Sequence, residues 1–183
     1  MVGRQSYHTT GDRFVDLSRE GVDVAISYGD GRWKGAVSEL LFEDKIIAVC
    51  SPKLLNGGAE PFKPELHTLI HDDAKPGWTE WFQSQGQADF ISSAGSIYFN
   101  HTYLALQAAI SGEGVALASE VLVSDSIVQG HLVNPTMSFL KGAGAYYFVT
   151  SSEGDDENQT RLFRDWLMTE RLIMLASCNL RPE

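Results

Sequence analysis

Runs dense in apolar residues alternate along this chain with segments whose apolar positions recur at helical spacing. Residues 22–28, VDVAISY, are too densely apolar for an exposed edge, which is typical of a buried strand in an α/β sheet. Residues 38–51, SELLFEDKIIAVCS, form a long extended run with a polar break at Glu43–Lys45, where a strand could pass from one lobe to another. Further strands are predicted at HTLIHDD, at 95–100, at GVALAS, after the Gly130 turn and at GAYYFVTS.

Helices are predicted between these strands. Residues 12–20 begin at a possible N-cap, Asp12, and end at Gly21. The other predicted helices cover 77–86, with its tryptophans on one face, 102–111, the segment around SDSIV, and the amphipathic 155–177. The alternation of strands and helices predicts an α/β fold with a mainly parallel sheet or sheets.

Composition narrows the class of protein. The 183 residues are 43% apolar and 21% charged, enough for one large domain or two small lobes. The net charge is −10 and the basic residues are scattered, so this polypeptide alone should bind DNA poorly. No apolar run approaches a membrane span, and MVGRQSYHTT has no signal-peptide core, which indicates a cytoplasmic protein. Cys50 is predicted to be reduced and buried, although the sequence leaves a disulfide open.

The segment GDGRW places Gly29 and Gly31 directly after a strand, as a phosphate-binding loop would. It lacks the glycine spacing of nucleotide-binding loops, and no helix is predicted after it. We therefore predict a turn that forms one wall of a cleft, with Trp33 packing beside it rather than touching a ligand.

No constellation of residues indicates catalysis, a cofactor or a metal. His71, Asp72 and Asp73 follow a strand but have no partners at metal-ligand spacing, which favours a polar loop. No GxSxG motif is present, and Cys50 has no activating neighbour. An enzyme that used residues 71–73 would therefore lack a nucleophile or a metal set.

Polar residues at strand ends are more informative, because open α/β sheets bind ligands beyond the carboxyl ends of their strands. Asn100, His101 and Thr102 lie at such a junction, as do Tyr28 and the pair Thr9–Thr10. A purely structural role as N-cap is the alternative for Asn100 or Thr102.

Several segments, taken in order, resemble the effector-binding domain of LysR-type transcriptional regulators. They are TTGDRFVDLSREGVDVAISYGDGRWKGAVSELLFEDKIIAVCSPKLL, HTLIHDDAKPGWTEWFQSQG, LALQAAISGEGVAL and RLFRDWL. The resemblance covers about residues 7–172 and is strongest to the branch of the glycine-cleavage activator and β-lactamase regulators. A series of matches in order is more specific than any single motif.

The resemblance implies a two-lobe architecture like that of type II periplasmic binding proteins. Lobe I would comprise 1–44 with 150–183 returning to it, and lobe II would comprise 45–149. A small polar or anionic effector would bind between the lobes. The implied effector-binding residues are Thr9, Thr10, Tyr28, Gly29, Asn100, His101, Thr102 and Tyr146, and Asp16 is implied to influence the response.

The resemblance also implies function and partners. The chain would be the effector-sensing and oligomerisation domain of a regulator that forms a homodimer or tetramer, with helix 12–20 of one subunit packed against 102–111 of another. The resemblance further implies that these residues do not include the family's DNA-binding helix-turn-helix domain or the start of lobe I, so DNA would be contacted only through that helix-turn-helix domain. The alternative is a solute-binding protein of a transport system.

Overall fold

The computed structural model of the protein describes residues 17, 22–58, 62–74, 76–87, 95–152 and 158–179, and within them a six-stranded sheet flanked by helices. The strands are β1 (Val24–Gly29), β2 (Ala36–Cys50), β3 (Leu69–His71), β4 (Ser96–Tyr98), β5 (Val115–Ser119) and β6 (Phe139–Ser151), arranged in the order β1-β6-β2-β5-β3-β4. The α-helices are α1 (Trp78–Ser84), α2 (Thr102–Ser111), α3 (Glu120–Val128) and α4 (Asn158–Asn179), and 3-10 helices cover Pro52–Gly58 and Pro64–Leu66.

The sheet is mixed, which corrects the prediction of a mainly parallel one. Among the described strands, the parallel pairs are β3–β4 and β3–β5. The pairs β1–β6, β2–β6 and β2–β5 are antiparallel. The prediction failed because the apolar density of a strand says nothing of its direction. The prediction of a buried strand at 22–28 is also wrong, because β1 lies at one edge of the described sheet and Ile26 is 56% exposed.

The predicted helices at 77–86, 102–111 and the C-terminal segment are confirmed as α1, α2 and α4. Of the predicted helix 12–20, only Leu17 lies within the described residues, where it is helical and buried. The strand predicted after Gly130 is reduced to a single bridge between Val133 and Cys50. The predicted turn at GDGRW is confirmed, and Gly31 there has a φ of +79°, which favours glycine.

Alternate residues of β2 supply apolar side chains to two cores, one on each face of the sheet. On one face the buried cluster contains Ile47, Val49, Ile70, Ala105, Ala109, Ala116, Ala118, Val123 and Leu132. On the other face it contains Ala48, Cys50, Leu55, Leu69, Trp78, Trp81, Phe82 and Val115. Helices α2 and α3 therefore cover the first face, and α1 covers the second. Full burial of a large apolar side chain in either core contributes about 1.5–3 kcal/mol.

Helix α1 is fixed at its start and along its buried face. The Gly77 N–H donates to Glu80 Oε2 at 3.1 Å, which satisfies one backbone donor at the helix N-terminus. Trp78 Nε1 donates to the Ile70 carbonyl at 2.9 Å and so ties the helix to β3. Trp81 Nε1 is also buried but has no acceptor in the described part of the chain.

The two longest strands, β2 and β6, lose their regular register at one level of the sheet. Glu43 lies opposite Ala145, whereas Lys45 lies opposite Lys141, so residues 142–144 of β6 bulge across from Asp44. A Cβ atom on Gly142 would come within 2.7 Å of Asp44 Cγ. Glycine therefore makes room for the Asp44 side chain inside the bulge, at the polar break that the sequence shows.

Candidate functional site

The carboxyl ends of four strands point toward the bulge from opposite sides. Gly29, the last residue of β1, pairs with Ala145 of β6, which in turn pairs with Glu43 of β2, directly before Asp44. From the other side, β5 ends at Ser119 opposite Ile46, and β3 and β4 run parallel to β5. Carboxyl ends of strands in open α/β sheets are where ligands bind. A ligand bound at the irregular region of β2 and β6 would therefore lie near the carboxyl ends of β1 on one side and of β5 on the other.

The Tyr28 hydroxyl connects three strands at this level. It donates to Asp44 Oδ2 at 2.9 Å and accepts a hydrogen bond from the Gly144 N–H at 2.9 Å. Its ring lies 5.0 Å from that of Tyr146, tilted by 60°. The structure thus brings together three of the predicted residues, Tyr28, Gly29 and Tyr146, and adds Asp44 to them.

Both tyrosines are held in the neutral form. Burial, and then the hydrogen bond with Asp44, raise the pKa of Tyr28 to about 12. Burial also raises the pKa of Tyr146, against a lowering influence of the nearby Ser119 hydroxyl, which does not reach hydrogen-bond geometry with it. A neutral phenol can both donate and accept hydrogen bonds. The Tyr28 proton is already donated to Asp44, so toward a polar ligand Tyr28 could act only as an acceptor.

Sequence reasoning missed Asp44 as a site residue. Its side chain is only 4% exposed, and Oδ1 has no hydrogen-bond partner among the described residues. The available signal was the position of an acid between apolar runs at the polar break, but the sequence assigned that break only to a crossover between lobes. A buried carboxylate with a free oxygen is costly, which is a property of binding sites rather than of ordinary strands.

Sequence reasoning also missed Ser119, at the junction of β5 and α3. It occupies the N-cap of α3 without making a side-chain capping bond, and its buried Oγ has no partner within the described ranges. A serine that could cap a helix and does not leaves a hydroxyl for another group.

The start of α2 presents the second group of predicted residues. The N-cap is His101, without a side-chain capping bond, so neither Asn100 nor Thr102 has the capping role that the sequence left open. The first backbone N–H groups of α2 therefore receive no capping bond from the His101 side chain. No hydrogen bond or ring contact joins these three residues to Tyr28 or Tyr146 in the described structure.

Other candidates from the sequence are structural or lie elsewhere. Thr9, Thr10 and Asp16 fall outside the described residues. Trp33 packs edge-on against Tyr147, with ring centroids 5.6 Å apart, as predicted for a packing residue.

Residues 71–73 form a polar strand end. The His71 ring stacks on Tyr98 at 4.4 Å, and its Nε2 lies 3.2 Å from Ser96 Oγ. Burial lowers the pKa of His71. Asp72 accepts a hydrogen bond from the Ala74 N–H, so it stabilises the turn. The described residues contain no cluster of His, Cys, Asp and Glu that could hold a metal ion.

Comparisons with known proteins agree on one family. The family model described as the LysR substrate binding domain matches residues 6–171. The glycine cleavage system transcriptional activator of Escherichia coli K12 is 36% identical over 162 residues, which are 87% of this chain and 53% of that protein. The chain therefore spans about half the length of the curated relatives it matches.

Solved structures give the same result for the fold. The effector domain of the transcriptional regulator AmpR of Pseudomonas aeruginosa superposes with a TM-score of 0.71 at 27% identity, covering 94% of this chain and 83% of that one. The AmpR effector binding domain from Citrobacter freundii gives a TM-score of 0.69 at 24% identity, covering 89% and 81%. The latter likeness is one of fold alone.

Proposed function

Because the chain belongs to the LysR substrate-binding domain family, we propose that it senses a small polar or anionic effector for a LysR-type transcriptional regulator and takes part in its oligomerisation. Its fold is the α/β architecture of LysR effector-binding domains, which resembles type II periplasmic binding proteins. The matched relatives are transcriptional regulators and not enzymes, and they favour this function over that of a transport solute-binding protein.

One observation carries the proposed binding site. Strand ends approach the bulge from both sides, and a hydrogen-bonded group that includes Tyr28, Asp44 and Gly144 occupies the meeting point. Residues 1–44 with 150–183, and residues 45–149, would form the two lobes, so the effector would lie between them. The effector would also be contacted from the start of α2. The residues there are Asn100, His101 and Thr102, the predicted effector-binding residues that have no hydrogen bond or ring contact with the tyrosines in the described structure.

Signalling would follow from a shift between lobe arrangements. An effector that binds one arrangement more tightly increases its population by the difference in affinity. In the proposed regulator, a helix-turn-helix domain makes the DNA contacts, because the net charge of −10 on this chain opposes DNA binding. The proposed location is the cytoplasm. In the described part of the chain, no helix has the length and hydropathy to cross a membrane.

The exposed surface of α2 supports an oligomer. Tyr103 is 70% exposed and Leu104 is 45% exposed, next to the proposed effector-binding residues. Aromatic and aliphatic side chains exposed side by side are typical of interfaces between subunits. A Tyr103→Glu variant should lower the mass measured by light scattering, whereas Gln129→Ala, at the far end of α3, should leave it unchanged. An unchanged mass for Tyr103→Glu would remove α2 from the interface.

The cleft is tested by thermal shift of the 183-residue chain against amino acids, small organic acids and muropeptides. At least one compound should raise the unfolding temperature, and Asn100→Ala and Tyr146→Ala should each reduce that rise. Gln129→Ala is the control and should respond as the wild type does. If both site variants bind the compound as tightly as the wild type, the proposed site is wrong.

A further inference from the structure

The Asp44 carboxylate is a buried acid in which one of the two oxygens has a hydrogen-bond partner among the described residues. Oδ2 accepts the Tyr28 hydroxyl proton, while Oδ1 has no partner among the residues described. The basic side chain next to it, Lys45, places its Nζ over the ring of Phe139, 5.3 Å from the centroid. The protein therefore supplies no cation to this oxygen from the adjacent position on β2.

The surrounding backbone is shaped to keep the carboxylate in place. The bulge of β6 lies opposite Asp44, and Gly142 leaves the space that a Cβ atom would otherwise take from the carboxylate. Tyr28, which binds Oδ2, also holds the Gly144 N–H on the other side of the bulge. Removing a carboxylate from water is unfavourable without a compensating partner, so this geometry holds a charged group ready for a ligand.

We infer that Asp44 binds a primary ammonium group of the effector, so that the ligand of this site is an α-amino acid or another small primary amine. This inference rests on the proposed function, because it names the chemical class that the cleft accepts. Because Oδ2 accepts the Tyr28 hydrogen bond, Oδ1 is the carboxylate oxygen that remains for a ligand. That geometry matches the single-point donor of an ammonium group, whereas a guanidinium group binds best to both oxygens together.

A ligand that carries only negative charge would be repelled by Asp44, unlike a zwitterion. Because Asp44 Oδ1 is closed from solvent, the side chains around it must move before a ligand can reach it. Amine binding would thereby be linked to the arrangement of the cleft.

The test measures binding of matched compounds to the 183-residue chain by calorimetry and thermal shift. The probes are the α-amino acids together with ethylamine and putrescine. Each amino acid is paired with its N-acetyl derivative and with the hydroxy acid that replaces its amine. The variants are Asp44→Asn, which keeps the shape of the side chain, and Glu43→Gln, which removes the same charge from the neighbouring exposed residue.

We expect at least one free amine to bind, and its blocked and hydroxy counterparts to bind at least about tenfold more weakly. Asp44→Asn should weaken the amine by at least about tenfold, whereas Glu43→Gln should leave its affinity within about twofold. The unfolding temperature of ligand-free Asp44→Asn should equal or exceed that of the wild type, because an uncompensated buried charge is removed; this separates loss of binding from loss of folding.

The results distinguish this inference from the proposed function. If a compound without an amine binds at the cleft and Asp44→Asn binds it normally, the ammonium assignment is overturned and effector binding stands. If amines bind equally to Asp44→Asn and the wild type, the role of Asp44 is again refuted. If no probe and no member of the wider library binds, both proposals fail.

Discussion

Removing the Tyr28 hydroxyl is the sharpest test of how the irregular level of the sheet is held together. Tyr28→Phe keeps the ring beside Tyr146 but deletes the hydrogen bonds to Asp44 Oδ2 and from the Gly144 N–H, each 2.9 Å long. The Asp44 carboxylate then loses the hydrogen-bond donor that the structure gives it while it stays buried. We expect the variant to fold with a lower free energy of unfolding.

The size of the loss follows from the two partners. A hydrogen bond to a charged group contributes about 1.5–3 kcal/mol, and leaving a buried charged acceptor without a donor is unfavourable. Tyr28 is 44% exposed, so solvent screening places the value near the lower end of that range. The Gly144 N–H is near solvent, where water can replace the lost partner at little cost. We therefore expect a destabilisation of about 1.5–2 kcal/mol, or about 3–8 °C in unfolding temperature for a chain of this size.

Urea unfolding followed by circular dichroism measures this change, and Tyr98→Phe is the matched control. The Tyr98 side chain is 74% exposed and stacks on His71, so loss of its hydroxyl should change the free energy of unfolding by less than about 0.5 kcal/mol. If Tyr28→Phe and Tyr98→Phe unfold at the same urea concentration with equal slopes, the hydroxyl bridge does not stabilise this region and the argument fails.

Three further predictions concern the core and the titrating groups. Trp78→Phe should destabilise the protein by about 1 kcal/mol more than Trp81→Phe, because both lose the same volume but only Trp78 donates to the Ile70 carbonyl; equal urea midpoints would contradict this. Burial raises the pKa of Cys50 to about 11, so in a variant without the second cysteine the native protein should react with a thiol reagent only as fast as it unfolds. Folding raises the pKa of Tyr28 from 10.0 to about 12, so between these pH values the native state retains a proton that the unfolded chain loses, and stability should fall as pH rises from 10 to 12. A Tyr28→Phe variant whose stability falls equally steeply over this range would refute the assignment to Tyr28.

The sequence predicted the helices best, because their apolar spacing and their stop signals are local. Helix α2 begins and ends where Thr102 and Gly112 indicate, and the tryptophans of α1 are buried on one face. The direction of the strands was not predictable from apolar density. It depends on which strands become neighbours, and β2 lies beside β6, which is roughly 100 residues away in the chain.

In the candidate site, too, the residues set by local sequence were predicted and those set by long-range contacts were missed. Tyr28, Gly29 and Tyr146 were predicted from strand ends and resemblance, and the structure brings them together. Asp44 was missed because its burial depends on a bulge in β6 that no local pattern of β2 reveals. The N-cap at His101 was also missed, since its neighbours are the better capping residues by type.

The pairing of β1 with β6 has a consequence for synthesis of the chain. Tyr28 and Tyr146 are partners in the sheet, and roughly 120 residues separate them in the sequence. At about 5–20 residues per second, a ribosome would need about 6–24 s to make β6 after β1 has been made. During that interval β1 exists without the strand that it pairs with here, so a nascent chain stalled before residue 139 should recruit chaperones more strongly than one released after residue 151.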